Sequence, residues 1–178
     1  MAKIIHKETM DGEQYYYMSD GMWVNSSFTK VTKPEMYKLE KIRLENTDLN
    51  SMSYENRIRM AQIMKDNGNL SGAMKIFDGV LEECNDARVI KFVLPCYTSI
   101  LRKYNKPEEA ISFADEYIHI YGEMVRTQSL YTSLAGAYCD IGDYIEARKK
   151  ANIAYALCNG KANPELISVY ARIKSMEK

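Results

Sequence analysis

Leu134-Ala135-Gly136-Ala137-Tyr138-Cys139-Asp140-Ile141-Gly142-Asp143-Tyr144-Ile145-Glu146-Ala147 has the pattern of two helices joined by a tight turn. Gly142 falls where a helix must stop, because glycine accepts the left-handed backbone that ends one. Asp143 suits the N-cap of a following helix, and Asp143 with Glu146 has the spacing of a capping box. The same pattern recurs upstream at residues 60–73 and 97–110, at a constant step of 37 residues. Ala61, Thr98 and Ala135 are small, as a close helix crossing demands, and Met64, Leu101 and Tyr138 follow one turn on. Gly68, Asn105 and Gly142 align as helix stops. Asn69 suits an N-cap and Pro107 a first helical turn. Ala73, Ala110 and Ala147 start a buried stripe that continues through Phe77, Ala114 and Ala151, then Val80, Tyr117 and Ala154.

The repeating unit is therefore a helix hairpin, present three times. The spacing predicts helices over 52–66 with 70–84, 88–104 with 107–121, and 124–140 with 144–157. Asn163-Pro164 opens a closing helix whose apolar face is Leu166, Ile167, Tyr170 and Ile173. Pro95 falls within the third of these helices and either kinks it or begins it.

This pattern resembles the tetratricopeptide repeat family, most clearly from Tyr131 through Leu134-Ala135, Tyr138, Gly142-Asp143-Tyr144, Ala147, Ala151 and Ala154. The family's first aromatic position, often Trp, holds Arg57, Leu94 and Tyr131 here. Its closing Pro is missing, and the step is longer than its usual length of about 34. The resemblance implies a mainly α fold, an α-hairpin solenoid over 51–178. Ahead of it, residues 1–50 would form a small β-meander with one helix and a linker. It also implies a concave groove, lined by the first helix of each hairpin, that takes an extended peptide or a partner's helix. The columns facing that groove are Ile58, Pro95 and Thr132; Gln62, Ser99 and Gly136; Lys65, Arg102 and Cys139; and Glu55, Phe92 and Ser129. Of these, Ile58, Gln62, Lys65, Phe92, Ser99, Arg102, Thr132 and Gly136 are the candidate partner-binding residues. Members that grip a chaperone's C-terminal carboxylate do so with Lys, Asn and Arg; the matching positions here are Ile58, Gln62, Cys96, Ser129 and Ser133, so that clamp is absent.

Ahead of the repeats the hydrophobic period shortens. Strands are expected over 3–9, 13–18 and 22–24, with turns at Asp11-Gly12 and Asp20-Gly21 and a fourth short strand over 28–31. Pro34-Glu35 opens a helix to about residue 45 with Met36, Leu39 and Ile42 or Arg43 on neighbouring turns, and a polar linker follows over 46–53. Such a meander is too small to stand alone and must pack on the first repeat, another copy or a partner. Its aromatics, Tyr15, Tyr16, Tyr17 and Trp23, form a second candidate contact, because Tyr and Trp dominate interface hot spots. Strand alternation sends Tyr15 and Tyr17 to one face and Tyr16 to the other.

The 178 residues carry 24 Lys+Arg and 24 Asp+Glu. Charge balances in both the meander and the remainder, which disfavours nucleic-acid binding through a broad basic face. No apolar run reaches membrane-spanning length, and Met1-Ala2-Lys3 begins no signal peptide. Cys84, Cys96, Cys139 and Cys158 form no C-x-x-C pair and His6 and His119 are the only histidines, so neither a metal site nor a cofactor is expected. With no phosphate loop and no local acid–base pair, a catalytic role is not expected either. The expectation is a cytoplasmic, non-enzymatic adaptor or regulatory subunit that holds a protein or peptide in the groove. The alternatives are an inhibitor or activator acting through the meander aromatics and, behind it, a nucleic-acid accessory protein. Self-association through exposed edges stays open.

Overall fold

The computed structural model describes residues 2–45, 51–159 and 161–176. Among them the chain is mainly α-helical, with eight α-helices that follow a small three-stranded antiparallel sheet in chain order. The order is β1 (Ile4–Met10), β2 (Glu13–Met18), β3 (Trp23–Asn25), α1 (Lys33–Glu45), α2 (Tyr54–Asp66), α3 (Leu70–Glu83), α4 (Ala87–Lys103), α5 (Pro107–Tyr121), α6 (Gln128–Asp140), α7 (Tyr144–Leu157) and α8 (Pro164–Met176). Two compact units divide the chain, Met1–Asn69 and Leu70–Lys178. The division falls at the turn of the first predicted hairpin, so α2 belongs to one unit and α3 to the other.

In the first unit the strands lie in the order β1-β2-β3. Asp11 and Gly12 both take positive φ, the turn that suits the twist of a two-residue hairpin. One face of the sheet closes on α1: Met10, Tyr15, Tyr17 and Trp23 bury against Leu39, with Val31, Met36 and Ile42 at the margin. The apolar stripe of α1, which the expectation of packing on the first repeat, a copy or a partner left out, covers this face, and α2, the first helix of the first repeat, also reaches the sheet. Burying an indole leaves its N–H to satisfy, and Trp23 Nε1 donates to Glu40 Oε1 at 2.9 Å. Glu40 Oε2 accepts from Arg43, whose guanidinium lies 4.2 Å over the Tyr17 ring. From α2, Arg59 Nη1 donates to the Tyr17 hydroxyl at 3.2 Å.

The fourth strand is also corrected. Residues 28–31 contribute one isolated bridge, Val24 to Lys30. The Asn25 side chain accepts from the backbone N–H of Ser27 and of Thr29, which bends the chain and holds Phe28 at φ 59°. The predicted linker over 46–53 lies outside the described residues over 46–50.

In the second unit each helix packs on its chain neighbour, and α4, α6 and α8 pack on one another in turn. The core runs through Ile90, Leu94, Ala114, Leu130, Leu134, Ala135, Ala147, Ala151, Ala154, Leu166 and Ile173. Thr98 and Ala135, read as small for close crossings, have no exposed surface, and neither does Ala110 of the expected buried stripe. The turns repeat in detail. Lys106 N–H donates to Leu101 C=O and Asp143 N–H to Tyr138 C=O, at 3.0 and 2.9 Å, around left-handed Asn105 and Gly142. In the first unit Asn69 N–H donates to Met64 C=O at 2.9 Å around left-handed Gly68, the same bond one step earlier.

The capping box at Asp143 is half formed. Its carboxylate accepts from Glu146 N–H, but its own N–H is spent on Tyr138, so the Glu146 carboxylate turns to Lys149. Helix α6 starts at Gln128, not 124: Gly122–Val125 is a turn of 3-10 helix, and Thr127 caps α6 by accepting from Leu130 N–H. Because α4 begins at Ala87, capped by Asp86, Pro95 lies inside that helix, where it cannot donate to the Lys91 carbonyl.

Candidate functional site

The last turn of α4, the end of α6 and the inner side of α8 enclose a cleft of about 790 Å³, within the range of ligand-sized pockets. The recurring turns put it there, since Asn105 and Gly142 end α4 and α6 side by side at its rim. Ser99, Arg102 and Lys103 line it from α4, Cys139 and Asp140 from α6, and Glu165, Arg172 and Met176 from α8.

One carboxylate organises the floor. Asp140 Oδ2 accepts from Arg102 Nε at 2.8 Å, and Asp140 Oδ1 accepts from Arg172 Nη2 at 2.8 Å. An acid in the last turn of a helix opposes the helix dipole, and the two guanidiniums offset that penalty. Arg102 Nη1 also donates to Glu165 Oε1, at a longer 3.4 Å. Gly136 sits one turn before Asp140 on the same face, and the Arg102 guanidinium lies flat against it. A Cβ at position 136 would stand 2.3–2.4 Å from Cζ, Nη1 and Nη2 of Arg102. Glycine inside a helix is unfavourable by about 1 kcal/mol against alanine, and here it makes the slot in which the guanidinium rests.

Burial pushes the Cys139 thiol above its usual range, against the opposing pull of Arg172 and Arg102. A raised thiol pKa lowers the thiolate fraction, which is the nucleophilic form. On another flank, a hollow of about 510 Å³ opens among Met74, Tyr97, Leu101, Tyr104 and Phe113. Tyr97 stacks on Phe113 at 4.4 Å and donates its hydroxyl to Asp78 at 2.7 Å. Burial first, then that hydrogen bond, holds the Tyr97 phenol well above its usual value.

Of the residues read from the repeat columns, Ser99, Arg102 and Cys139 meet in the cleft, while Gly136 lies beneath the Arg102 guanidinium. Thr132, from the same face, is fully buried and presents nothing to a partner. Phe92 is exposed, with Lys91 Nζ 5.0 Å over its ring. Ile58, Gln62 and Lys65 belong to the first unit, where Ile58 is buried and Lys65 pairs with Asp66. Among the meander aromatics, Tyr15, Tyr17 and Trp23 are core, which leaves Tyr16 alone on the outer face. Asp140, Glu165 and Arg172 were not singled out. Asp140 stands one step on from Lys103 and two from Asp66, so the repeat columns held a signal for it. Glu165 and Arg172 lie beyond the last repeat and had none.

Among the described residues no cluster of three or more His, Cys, Asp or Glu could hold a metal, and no helix is long and apolar enough to cross a membrane. Set against known protein families, curated proteins and solved structures, the chain matches none of them.

Proposed function

We propose that the chain is a non-enzymatic interaction module, an adaptor or regulatory subunit built from tetratricopeptide-type hairpins. It holds a protein or peptide segment against the face made by α4, α6 and α8. The observation that carries this reading is the cleft itself, open between three successive inner helices and ligand-sized at about 790 Å³. The 37-residue recurrence of one turn geometry supports the hairpin assignment.

The chemistry of the cleft favours holding over catalysis. Asp140 is committed to two guanidiniums, Arg102 is seated on Gly136 and tied to Asp140, and burial pushes the Cys139 thiol up. Ser99 and Lys103 line the cleft where an incoming chain would lie, alongside Arg172. Capture from the cells that make the protein tests the reading, comparing wild type with Ser99→Trp, which fills the cleft, and with Ile145→Glu on exposed α7 surface. The expected result is that Ser99→Trp loses the captured partner and Ile145→Glu keeps it. A Ser99→Trp protein with unchanged circular dichroism that still captures the same partner overturns the reading.

A further inference from the structure

The outer face of the small sheet separates charge from the inner one. A single row crosses it, with Lys7 opposite Tyr16, Tyr16 opposite Val24 and Val24 opposite Lys30. Lysines thus stand at both ends of a row roughly 14 Å wide, from three inter-strand spacings. The strand carboxylates lie on the other face, where Glu8 meets His6 and Glu13 accepts from the Tyr15 hydroxyl. Overall charge balance hides this segregation; it argues against a broad basic surface, not against a narrow one.

Phe28 occupies the centre of the face. Its ring stacks on Tyr16, with centroids 5.5 Å apart and planes 11° from parallel. The residue is 61% exposed, so the far side of the ring faces solvent. Its φ of 59° is a conformation that Gly, Asn and Asp reach readily and an aromatic residue does not. Neither backbone ease nor burial accounts for an aromatic there. The Asn25 turn fixes the loop, and the Tyr16 hydroxyl, donating to Gln14, fixes the ring beneath. The result is a two-ring stack open on one side, with Lys7 Nζ 5.9 Å from the Tyr16 centroid and Lys30 at the far end of the row.

From this geometry we infer that the outer face of the sheet is a binding site for single-stranded nucleic acid. A base adds a third layer on the open face of Phe28, and Lys7 and Lys30 contact the adjoining phosphates. Flat aromatic stacking with flanking ammonium groups is the chemistry that recognises an unpaired strand without regard to sequence. An acidic protein surface would use the lysines but gains less from a parallel open stack.

The test is fluorescence anisotropy of the full chain with labelled oligodeoxythymidine and oligouridine of about ten nucleotides, at low salt. Two phosphate contacts predict a log–log salt slope of about −1.4 for single strands, falling to about −0.7 in Lys7→Gln or Lys30→Gln. Phe28→Asn removes the ring while suiting the left-handed backbone, so the loop stays folded; it should weaken binding about tenfold or more. Either oligonucleotide binding in this pattern supports the site, and the better of the two names the natural strand. The inference is overturned if neither binds at low salt, or if binding ignores Phe28→Asn. It is equally overturned if a labelled poly-glutamate peptide binds as tightly and with the same dependence on Phe28, which would make the occupant an acidic protein. Thymidine monophosphate binding as well as the oligonucleotide would reassign the site to a mononucleotide.

Discussion

Replacing Gly136 by alanine sets two effects of known sign against each other. Alanine in a helix interior is favoured over glycine by about 1 kcal/mol, so with nothing nearby the substitution stabilises. Here the new Cβ would stand 2.3–2.4 Å from three atoms of the Arg102 guanidinium, far inside contact distance. The guanidinium is the end of a flexible side chain and can leave, so no backbone need move. Leaving forfeits its 2.8 Å bond to Asp140, a charge-assisted contact of about 1.5–3 kcal/mol. The longer, more exposed pairing with Glu165 adds little, at most about 0.5 kcal/mol. The loss outweighs the gain, and Gly136→Ala should destabilise the protein by about 1 kcal/mol. Once Arg102→Ala has removed the guanidinium, the same substitution should stabilise by about 1 kcal/mol. Urea unfolding of the four proteins of this cycle, followed by circular dichroism, gives the coupling directly, with about 2 kcal/mol expected. If Gly136→Ala stabilises both backgrounds equally, the guanidinium does not rest on Gly136 and the account of the cleft floor is wrong.

Two other predictions concern buried polar groups. Trp23→Phe keeps the ring but leaves Glu40 without its 2.9 Å indole donor, and should cost about 1–3 kcal/mol in urea unfolding; a loss under about 0.5 kcal/mol would mean the bond contributes nothing. Tyr97 is held protonated in the folded state by burial and by Asp78, so its folded pKa lies above the unfolded value near 10. Its contribution is complete below that unfolded value and is lost as pH rises toward the folded one. Above pH 10 the wild type should therefore lose stability more steeply than Tyr97→Phe, by about 1.4 kcal/mol per pH unit for one proton, in unfolding curves between about pH 10 and 12. Parallel curves for the two proteins would refute the assignment.

The hairpins were legible because their determinants are local. A left-handed residue must end each first helix, and Gly68, Asn105 and Gly142 supply one at each step. Close crossings need small residues, and Ala61, Thr98 and Ala135 all have no exposed surface. Where the reading slipped, a nearby competitor won. Met124 and Val125 continue the apolar pattern, yet Thr127 takes the Leu130 amide and restarts the helix. Residues 28–31 favour a strand by composition, yet Asn25 draws the backbone into a turn.

The cleft was less legible for a different reason. Arg102, Asp140 and Arg172 come from three helices, and nothing in a helical period says which ends will meet. The repeat columns make Gly136 a groove-lining position open to a partner; the guanidinium lying on it shows what the missing side chain permits instead. The meander aromatics divided as alternation required, with Tyr16 outward and Tyr15 and Tyr17 inward. That α1 would cover the inner face could be read only once Leu39 was seen packed beneath it.

Site-specific crosslinking reports whether the face of α4, α6 and α8 holds the partner. A photoreactive residue placed at Ser99, Phe28 or Ile145 would be activated in cells that make the protein, and the covalent adducts compared. A discrete protein adduct is expected from Ser99, with none of that mass from Ile145. A protein adduct from Phe28 or Ile145 with none from Ser99 would contradict that expectation.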